Sequence, residues 1–133
     1  VDPEFFDGFN SWIVYEFRAN KGRVGRPFDS DDLVILTTRS AGSRRPRSVP
    51  VVSYPDGNGL IVAARERPGR GYPLWYLDLI IDPQVTVETG RRSYSAVAEL
   101  LSGSIRTEWL VRLNLAAQAD MSAALVRLGN PAD

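Results

Sequence analysis

The chain has 133 residues, and neither a cysteine nor a histidine is among them. Without cysteine there is no disulfide, no thiolate nucleophile and no thiolate metal site. Without histidine the commonest general base and the commonest metal ligand are gone. A Ser-His-Asp hydrolase and a histidine-built zinc centre are therefore excluded, and no metal site is expected. Long apolar runs are missing too: nothing approaches the roughly 18–20 residues of a membrane span. No signal-peptide pattern opens the chain, so the expected location is the cytoplasm. Excess charge of either sign is absent, since 16 basic residues meet 16 acidic ones. A dedicated nucleic-acid binder usually carries a basic surplus, so nucleic acid is not an expected partner. Lysine is nearly lacking, with Lys21 alone against fifteen arginines. Codon usage in a GC-rich genome is one explanation, and guanidinium forks for carboxylate or phosphate are another.

What is present reads as one globular domain. The hydrophobic content of 44% and charged content of 24% are ordinary for a soluble fold. Val1–Phe5 (VDPEF) reads as vector-derived, so residues 1–8 are set aside as a flexible N-terminus and 9–133 form the expected domain. Asn10 or Ser11 can cap a first helix, SWIVYEFRAN, with Phe9, Trp12, Ile13 and Phe17 as its apolar face. That face either packs on the remaining fold or makes peripheral membrane or partner contact. Leu33–Thr38, Ser48–Tyr54 and Leu60–Ala64 read as strands, the last two joined by a Pro55-Asp56-Gly57-Asn58-Gly59 turn. Pro50 marks an edge or a bulge in its strand. Pro73 opens a helix that runs to about Ile81. Gln84–Thr89 and Ser93–Leu101 form a second hairpin, with Tyr94, Ala96, Ala98 and Leu100 on one face. Ser104 caps a helix through about Ala119 whose inner face is Trp109, Leu110, Leu113 and Ala117. Ala123–Leu128 supplies a sixth strand. Six strands joined mostly by hairpins, with three helices, make a mainly β, α+β fold: a small antiparallel barrel with helices outside it.

Chemistry concentrates between Leu33 and Tyr76. One loop carries Arg39, Arg44, Arg45 and Arg47, a second carries Arg65, Arg67 and Arg70, and the second leads into Tyr72-Pro73-Leu74-Trp75-Tyr76. Guanidinium groups and loop amides can cradle phosphate or carboxylate, and a helix amino end favours anions. Ala63 and Ala64 are small enough to let a planar ring approach the backbone, or to pack tightly in a core. The carboxylates, among them Asp29, Asp56, Glu66, Asp78, Asp82, Glu88 and Glu99, read as scattered over loops and solvent faces. No catalytic constellation of side chains stands out, so any reactivity is expected from a bound cofactor.

The motif order FNSWIVYEFRANKGRVGRPF, LVILTTRSAGSRRPRSVPVV, LIVAARERPGRGYPLWYLDLIIDPQVTVETG resembles the deazaflavin-dependent nitroreductase family over about Phe9–Leu101. The most specific part is a P-x-W-Y-x-(N/D)-L…(N/D)-P-x-V-x-V pattern, here Pro73, Trp75, Tyr76, Asp78, Leu79, Asp82, Pro83, Val85 and Val87. The resemblance implies a six-stranded antiparallel split β-barrel, similar in fold to flavin-mononucleotide oxidoreductases, with about three flanking helices. It implies hydride transfer from reduced coenzyme F420 to a small-molecule acceptor: a quinone, a nitroaromatic or an activated alkene.

By the same resemblance, three segments hold the cofactor: Ala41, Gly42, Ser43, Arg44 and Arg45 with Arg47, Ser48, Val49 and Pro50; Ala63, Ala64, Arg65 and Glu66; and Leu74, Trp75, Tyr76 and Asp78. Tyr72 and Tyr76 are the expected hydrogen-bond donors to the acceptor. Arg47→Ala is expected to weaken cofactor binding and leave the fold intact. The chain departs from the family pattern at Ala41, Arg44, Arg65–Pro68 and Tyr72, and Leu115–Met121 lacks the family's tyrosines. A flavin-mononucleotide reductase and a non-catalytic ligand-binding barrel are the alternatives. Monomer and homodimer are both open, as is membrane association through the first helix.

Overall fold

A computed structural model describes residues 12–20, 33–57, 59–67, 69–113 and 123–129. Six strands and three helices follow in order: α1 (12–19), β1 (Leu33–Arg39), β2 (Pro46–Asp56), β3 (Gly59–Ala64), α2 (Leu74–Ile81), β4 (Gln84–Glu88), β5 (Ser93–Leu100), α3 (Gly103–Arg112) and β6 (Ala124–Gly129). The strands close into an antiparallel barrel in the order β1-β2-β3-β6-β5-β4. Closure removes the exposed sheet edges that a six-stranded open sheet would present.

The residue pattern explains which strands are covered. Val34 and Leu36 of β1, Leu60, Val62 and Ala64 of β3, and Ala124, Val126 and Leu128 of β6 fill the barrel interior. The alternate positions on these strands are apolar as well. Ile35 packs outward under Ile13, Val14 and Phe17 of α1, and Ile61 and Leu125 pack outward under Trp109 and Leu110 of α3. Strands buried on both faces must be apolar throughout, which is why they read as continuous runs. On β4 and β5 only one face is apolar: Val85, Val87, Tyr94, Ala96 and Ala98 point inward. Thr86 and Ser95 occupy the intervening, less buried positions. Arg18 fastens α1 down by a two-pronged hydrogen bond to Glu88 of β4, at 3.0 and 2.7 Å.

Several expected details shift. Trp12 is not on the packed face of α1; it is 46% exposed, and Val14 takes its place. Phe9 and Ala117 lie outside the described residues. β2 begins two residues early and ends two late, so Pro55 and Asp56 belong to the strand and Gly57 (φ +59°) follows it directly. At Gly59 a Cβ would meet the Leu128 carbonyl oxygen at 2.7 Å, so glycine is required there by close approach of β6. Leu100 is 55% exposed and leaves the inward face shared by Tyr94, Ala96 and Ala98. Ser102 rather than Ser104 stands at the start of α3, which is described over Gly103–Arg112; the expected stretch from residue 114 to Ala119 lies outside the described residues. Leu113 turns out of helical geometry (ψ 2°) while its N–H closes on the Trp109 carbonyl.

The antiparallel order fixes which loops share an end. β1 runs up to Arg39 and β2 runs back down from Pro46. β3 then rises to Ala64, and β4 descends from Gln84. Both arginine loops and α2 therefore lie at one end of the barrel, the upper end. Trp75, Tyr76 and Leu79 of α2 pack into the barrel core from there.

Candidate functional site

The upper end is held together by one carboxylate. Asp78 is the only charged residue in the α2 sequence LWYLDLII, and it is 2% exposed. Thr38 Oγ1 donates to its Oδ2 at 2.9 Å, Arg47 Nε donates to the same oxygen at 2.8 Å, and the Ala41 N–H donates to Oδ1 at 3.0 Å. A buried charge is tolerable only when it is paired and hydrogen-bonded, and here three donors from β1, the first loop and β2 meet that need. The expectation that the carboxylates are scattered over loops and solvent faces fails at this position. The signal was a lone acid within an otherwise apolar octapeptide, which called for buried partners.

The first loop is fastened at a second point. Arg44 adopts a left-handed conformation (φ +62°) and its Nη2 donates to Asp82 Oδ2 at 2.9 Å, just past the end of α2. The Gln84 N–H donates to the other Asp82 oxygen at 3.1 Å. The Arg44 hydrogen bond first, and the Gln84 amide second, hold the Asp82 carboxyl below the usual carboxylate range. Within the loop, the Ser40 N–H donates to the Arg45 carbonyl at 2.8 Å and the Arg44 N–H to the Ser40 carbonyl at 2.9 Å.

The second loop closes on itself. Arg67 and Gly71 exchange backbone hydrogen bonds at 2.9 and 3.0 Å, and Gly69 and Gly71 take the positive φ that such a turn requires.

The sequence-predicted residues thus fall into three groups. Ala41, Gly42, Ser43, Arg44, Arg45, Arg65, Glu66 and Leu74 are exposed at the upper end. Arg47, Ser48, Val49 and Pro50 are half-buried on β2. That strand pairs with β1 over residues 46–52 but with β3 only over 53–56, so its upper part has a strand on one side alone. Ala64, Trp75, Tyr76 and Asp78 are buried.

Contacts bring Ala41, Arg47 and Asp78 together and link Arg44 to the far end of α2. Ser48 turns away, towards Thr37 (2.8 Å) and Arg18 of α1 (3.4 Å). Ala63 packs under α3. Among the described residues the guanidinium groups of Arg45 and Arg67 and the carboxylate of Glu66 make no hydrogen bond or ion pair.

Clefts among the described residues open around this end. One of about 650 Å³ separates α1 (Val14, Tyr15, Arg18) from Pro46 and Ser48 of β2. Another, about 460 Å³, is lined by Thr38, Arg39, Gln84, Thr86 and Ser95 with neighbouring residues of β1, β4 and β5. The third, about 310 Å³ and lined mostly by aliphatic side chains, lies between α2 and strands β5 and β6 and includes Tyr76. The Tyr76 ring sits 5.0 Å from that of Tyr72 and 6.5 Å from that of Trp75, edge-on to the latter. Burial, and then the neighbouring Tyr72, push the Tyr76 phenol above its ordinary value, so it stays protonated at neutral pH.

A sequence model of the F420H2-dependent quinone reductase family matches residues 12–125. Among solved structures, an F420-H2 dependent reductase superposes with a TM-score of 0.62 at 20% identity, over 74% of this chain and 94% of its own. A structure described as a domain-swapped dimer gives 0.64 at 19% identity, over 90% and 98%. The General Stress Protein 26 of Bacillus anthracis gives 0.56 at 15% identity, over 90% and 87%. At these identities the structural likeness establishes the fold alone, a split barrel as the family resemblance implied and a closed antiparallel barrel as the strand pattern led one to expect.

Proposed function

The chain belongs to the F420H2-dependent quinone reductase family, a family of oxidoreductases, and from that premise we propose that its upper end binds reduced F420 and that a quinone is its acceptor. Nitroaromatics and activated alkenes are the related electrophiles such a site would accept. The observation that carries the reading is the Asp78 anchor. It gathers the first loop, the partly unpaired run of β2 and α2 at one end of the barrel, where Arg45 and Arg67 keep guanidinium groups without partners among the described residues.

The donor set fits an anionic, ring-bearing cofactor. Arg45 and Arg67 offer charge to a phosphate or carboxylate tail, and the exposed first loop offers the Gly42 and Ser43 N–H groups, its other amides being used within the protein. Glu66 is the one residue of opposite charge in the set, and its exposed side chain is free to turn outward. Arg44, Arg47 and Asp78 act as positioning residues, since their charges are used on one another and on Asp82. When bound, reduced F420 supplies a hydride equivalent from its deazaflavin ring.

The chain's own contribution is orientation and proton control. Trp75 and Leu79 keep this end of the core dry, being 7% and 5% exposed. The protonated Tyr76 phenol is suited to donate a hydrogen bond to a carbonyl oxygen as negative charge builds on it. With no histidine or cysteine in the chain, the phenol of Tyr76 and solvent are the proton donors this end of the barrel offers an acceptor.

The test is quinone reduction by the purified protein with reduced F420, followed by loss of the reduced-cofactor absorbance. Saturable turnover that falls in Arg45→Ala and Arg67→Ala, with Tm unchanged, supports the assignment. Turnover indifferent to both substitutions contradicts it.

A further inference from the structure

α2 departs from the usual pattern of a surface helix, in which one stripe faces the core and the opposite face is polar. Its inner side is Trp75, Tyr76, Asp78 and Leu79. At about 100° per residue, Leu74, Leu77, Ile80 and Ile81 share the remaining arc of about 120°. These four are 54%, 42%, 57% and 65% exposed, and no polar side chain lies among them. Leu100 of β5, also exposed, shares a cleft with Ile80 and extends the patch. α1 is different, since it commits Ile13, Val14 and Phe17 to Ile35 of β1. A contiguous exposed aliphatic face rimmed by charge marks an interaction surface.

The charge beside this face is mostly of one sign. The first loop is tied to Asp82, just past the end of α2, through Arg44, and it also carries exposed Arg39 and Arg45. The second loop runs into the start of α2 and carries exposed Arg65, Arg67 and Arg70. The acids in the same segments are Glu66, and Asp82 whose carboxylate Arg44 already holds. Arg47 and Asp78 neutralise each other. A chain with no net charge thus places cations at both ends of one aliphatic face.

We infer that α2 docks the protein on an anionic membrane surface. Leu74, Leu77, Ile80 and Ile81 enter the boundary between headgroups and acyl chains, and the arginines of both loops lie among the lipid phosphates. A helix of eight residues is about 12 Å long, so the contact is peripheral and not a span. Two features set lipid apart from other occupants. On a second copy of the chain, arginine loops would meet arginine loops whichever way the helices ran, and a helix this short falls well below the roughly 800 Å² per partner of a stable interface. A folded partner is held by aromatic anchors and placed polar groups, which this face lacks and a lipid surface does not need. The inference uses no property of F420.

The experiment is co-flotation of the cofactor-free full chain with lipid vesicles, because Arg45 and Arg67 would be shared with an anionic cofactor. Vesicles of phosphatidylcholine containing about 30% phosphatidylglycerol should bind the protein, and phosphatidylcholine alone at least roughly tenfold more weakly. Leu77→Gln/Ile81→Gln should weaken binding to the anionic vesicles roughly tenfold or more, with Tm unchanged because both side chains face solvent. Should that pair lower Tm, Leu74→Gln at the first position of the helix takes its place, with a loss of at least roughly threefold. Arg45→Ala/Arg67→Ala should weaken binding roughly 25-fold, about fivefold for each cation at an anionic surface. Val111→Ser on α3 and Tyr15→Ser on α1, both at exposed positions away from the patch, should change nothing.

Equal association with both kinds of vesicle, or association with neither, would overturn the inference. So would binding to anionic vesicles that ignores the α2 substitutions. A concentration-dependent dimer that Leu77→Gln/Ile81→Gln dissociates, with no vesicle binding, would assign the face to a second copy instead. Because no F420 is present, failure here leaves the cofactor assignment standing, and failure to bind F420 in solution would equally leave the docking face standing.

Discussion

The first arginine loop is fastened to α2 through side chains, with Arg47 to Asp78 and Arg44 to Asp82. The second, from Arg65 to Gly71, is closed by its own backbone, with Arg67 and Gly71 bonded reciprocally and two glycines at positive φ. Their sequences look alike, each a short run rich in arginine. In the first, two of the four arginines pair with carboxylates of the chain itself, and those carboxylates come from an element some thirty to forty positions away. In the second, Arg67 has no side-chain partner among the described residues. The number of arginines in a loop therefore does not measure the charge it can offer a ligand. The acids that subtract from it must be counted in three dimensions.

The strongest way to break this contrast is Asp78→Ala. It strands the buried Thr38 hydroxyl and the Ala41 amide and leaves Arg47 without its partner, so a loss of about 2–4 kcal/mol is expected by chemical denaturation. Arg47→Ala should destabilise as well, because it leaves a buried carboxylate short of its cation. The sequence-based expectation that Arg47→Ala spares the fold is revised accordingly. An unchanged midpoint in both variants would show that the anchor contributes nothing.

Next in size is the double variant Arg45→Ala/Arg67→Ala. Stability should stay within about 0.5 kcal/mol of wild type, as for surface substitutions. F420 affinity should fall at least roughly tenfold, and with a shallower dependence on salt. Gly71→Ala sharpens the other side of the comparison. No atom lies within 4 Å of the added Cβ, so only the strain of φ +75° remains, about 1 kcal/mol. The change should appear as faster amide exchange in the 65–71 turn with little change elsewhere.

The smallest effect is expected at Arg44. The Asp82 carboxyl titrates below its ordinary value because of Arg44 and the Gln84 amide. A depressed folded-state pKa stabilises above the unfolded value of about 4 and is lost as pH falls through the folded value. Arg44→Ala should move the Asp82 titration, followed by carboxyl NMR, back up towards the ordinary range. A titration that does not move would mean that the clasp is not populated in solution.

Much of the fold was legible because burial writes itself into pattern. LVIL, LIVAA and ALV are apolar at consecutive positions because α1 and α3 cover their outer faces. The alternation of β4 and β5 reflects an outer face on which no apolar cluster forms among the described residues. Trp12 was misplaced because the spacing of Ile13 and Phe17 does not say whether Trp12 or Val14 joins them against Ile35. Leu100 was misplaced because inward alternation holds only while the strand still follows the barrel wall. The two arginine loops could be found as motifs, whereas their inner bookkeeping could not. Pairing Arg47 with Asp78 requires knowing that the end of β1, the start of β2 and the middle of α2 meet, which is a property of the closed barrel and not of any one segment.

The most direct measurement is a fluorescence titration of purified protein with coenzyme F420, with flavin mononucleotide run beside it. The account predicts saturable binding of F420 that weakens with salt and in Arg45→Ala/Arg67→Ala, and much weaker binding of flavin mononucleotide, whose anionic portion is shorter. Equal binding of both, or F420 binding that ignores salt and both arginines, would contradict it.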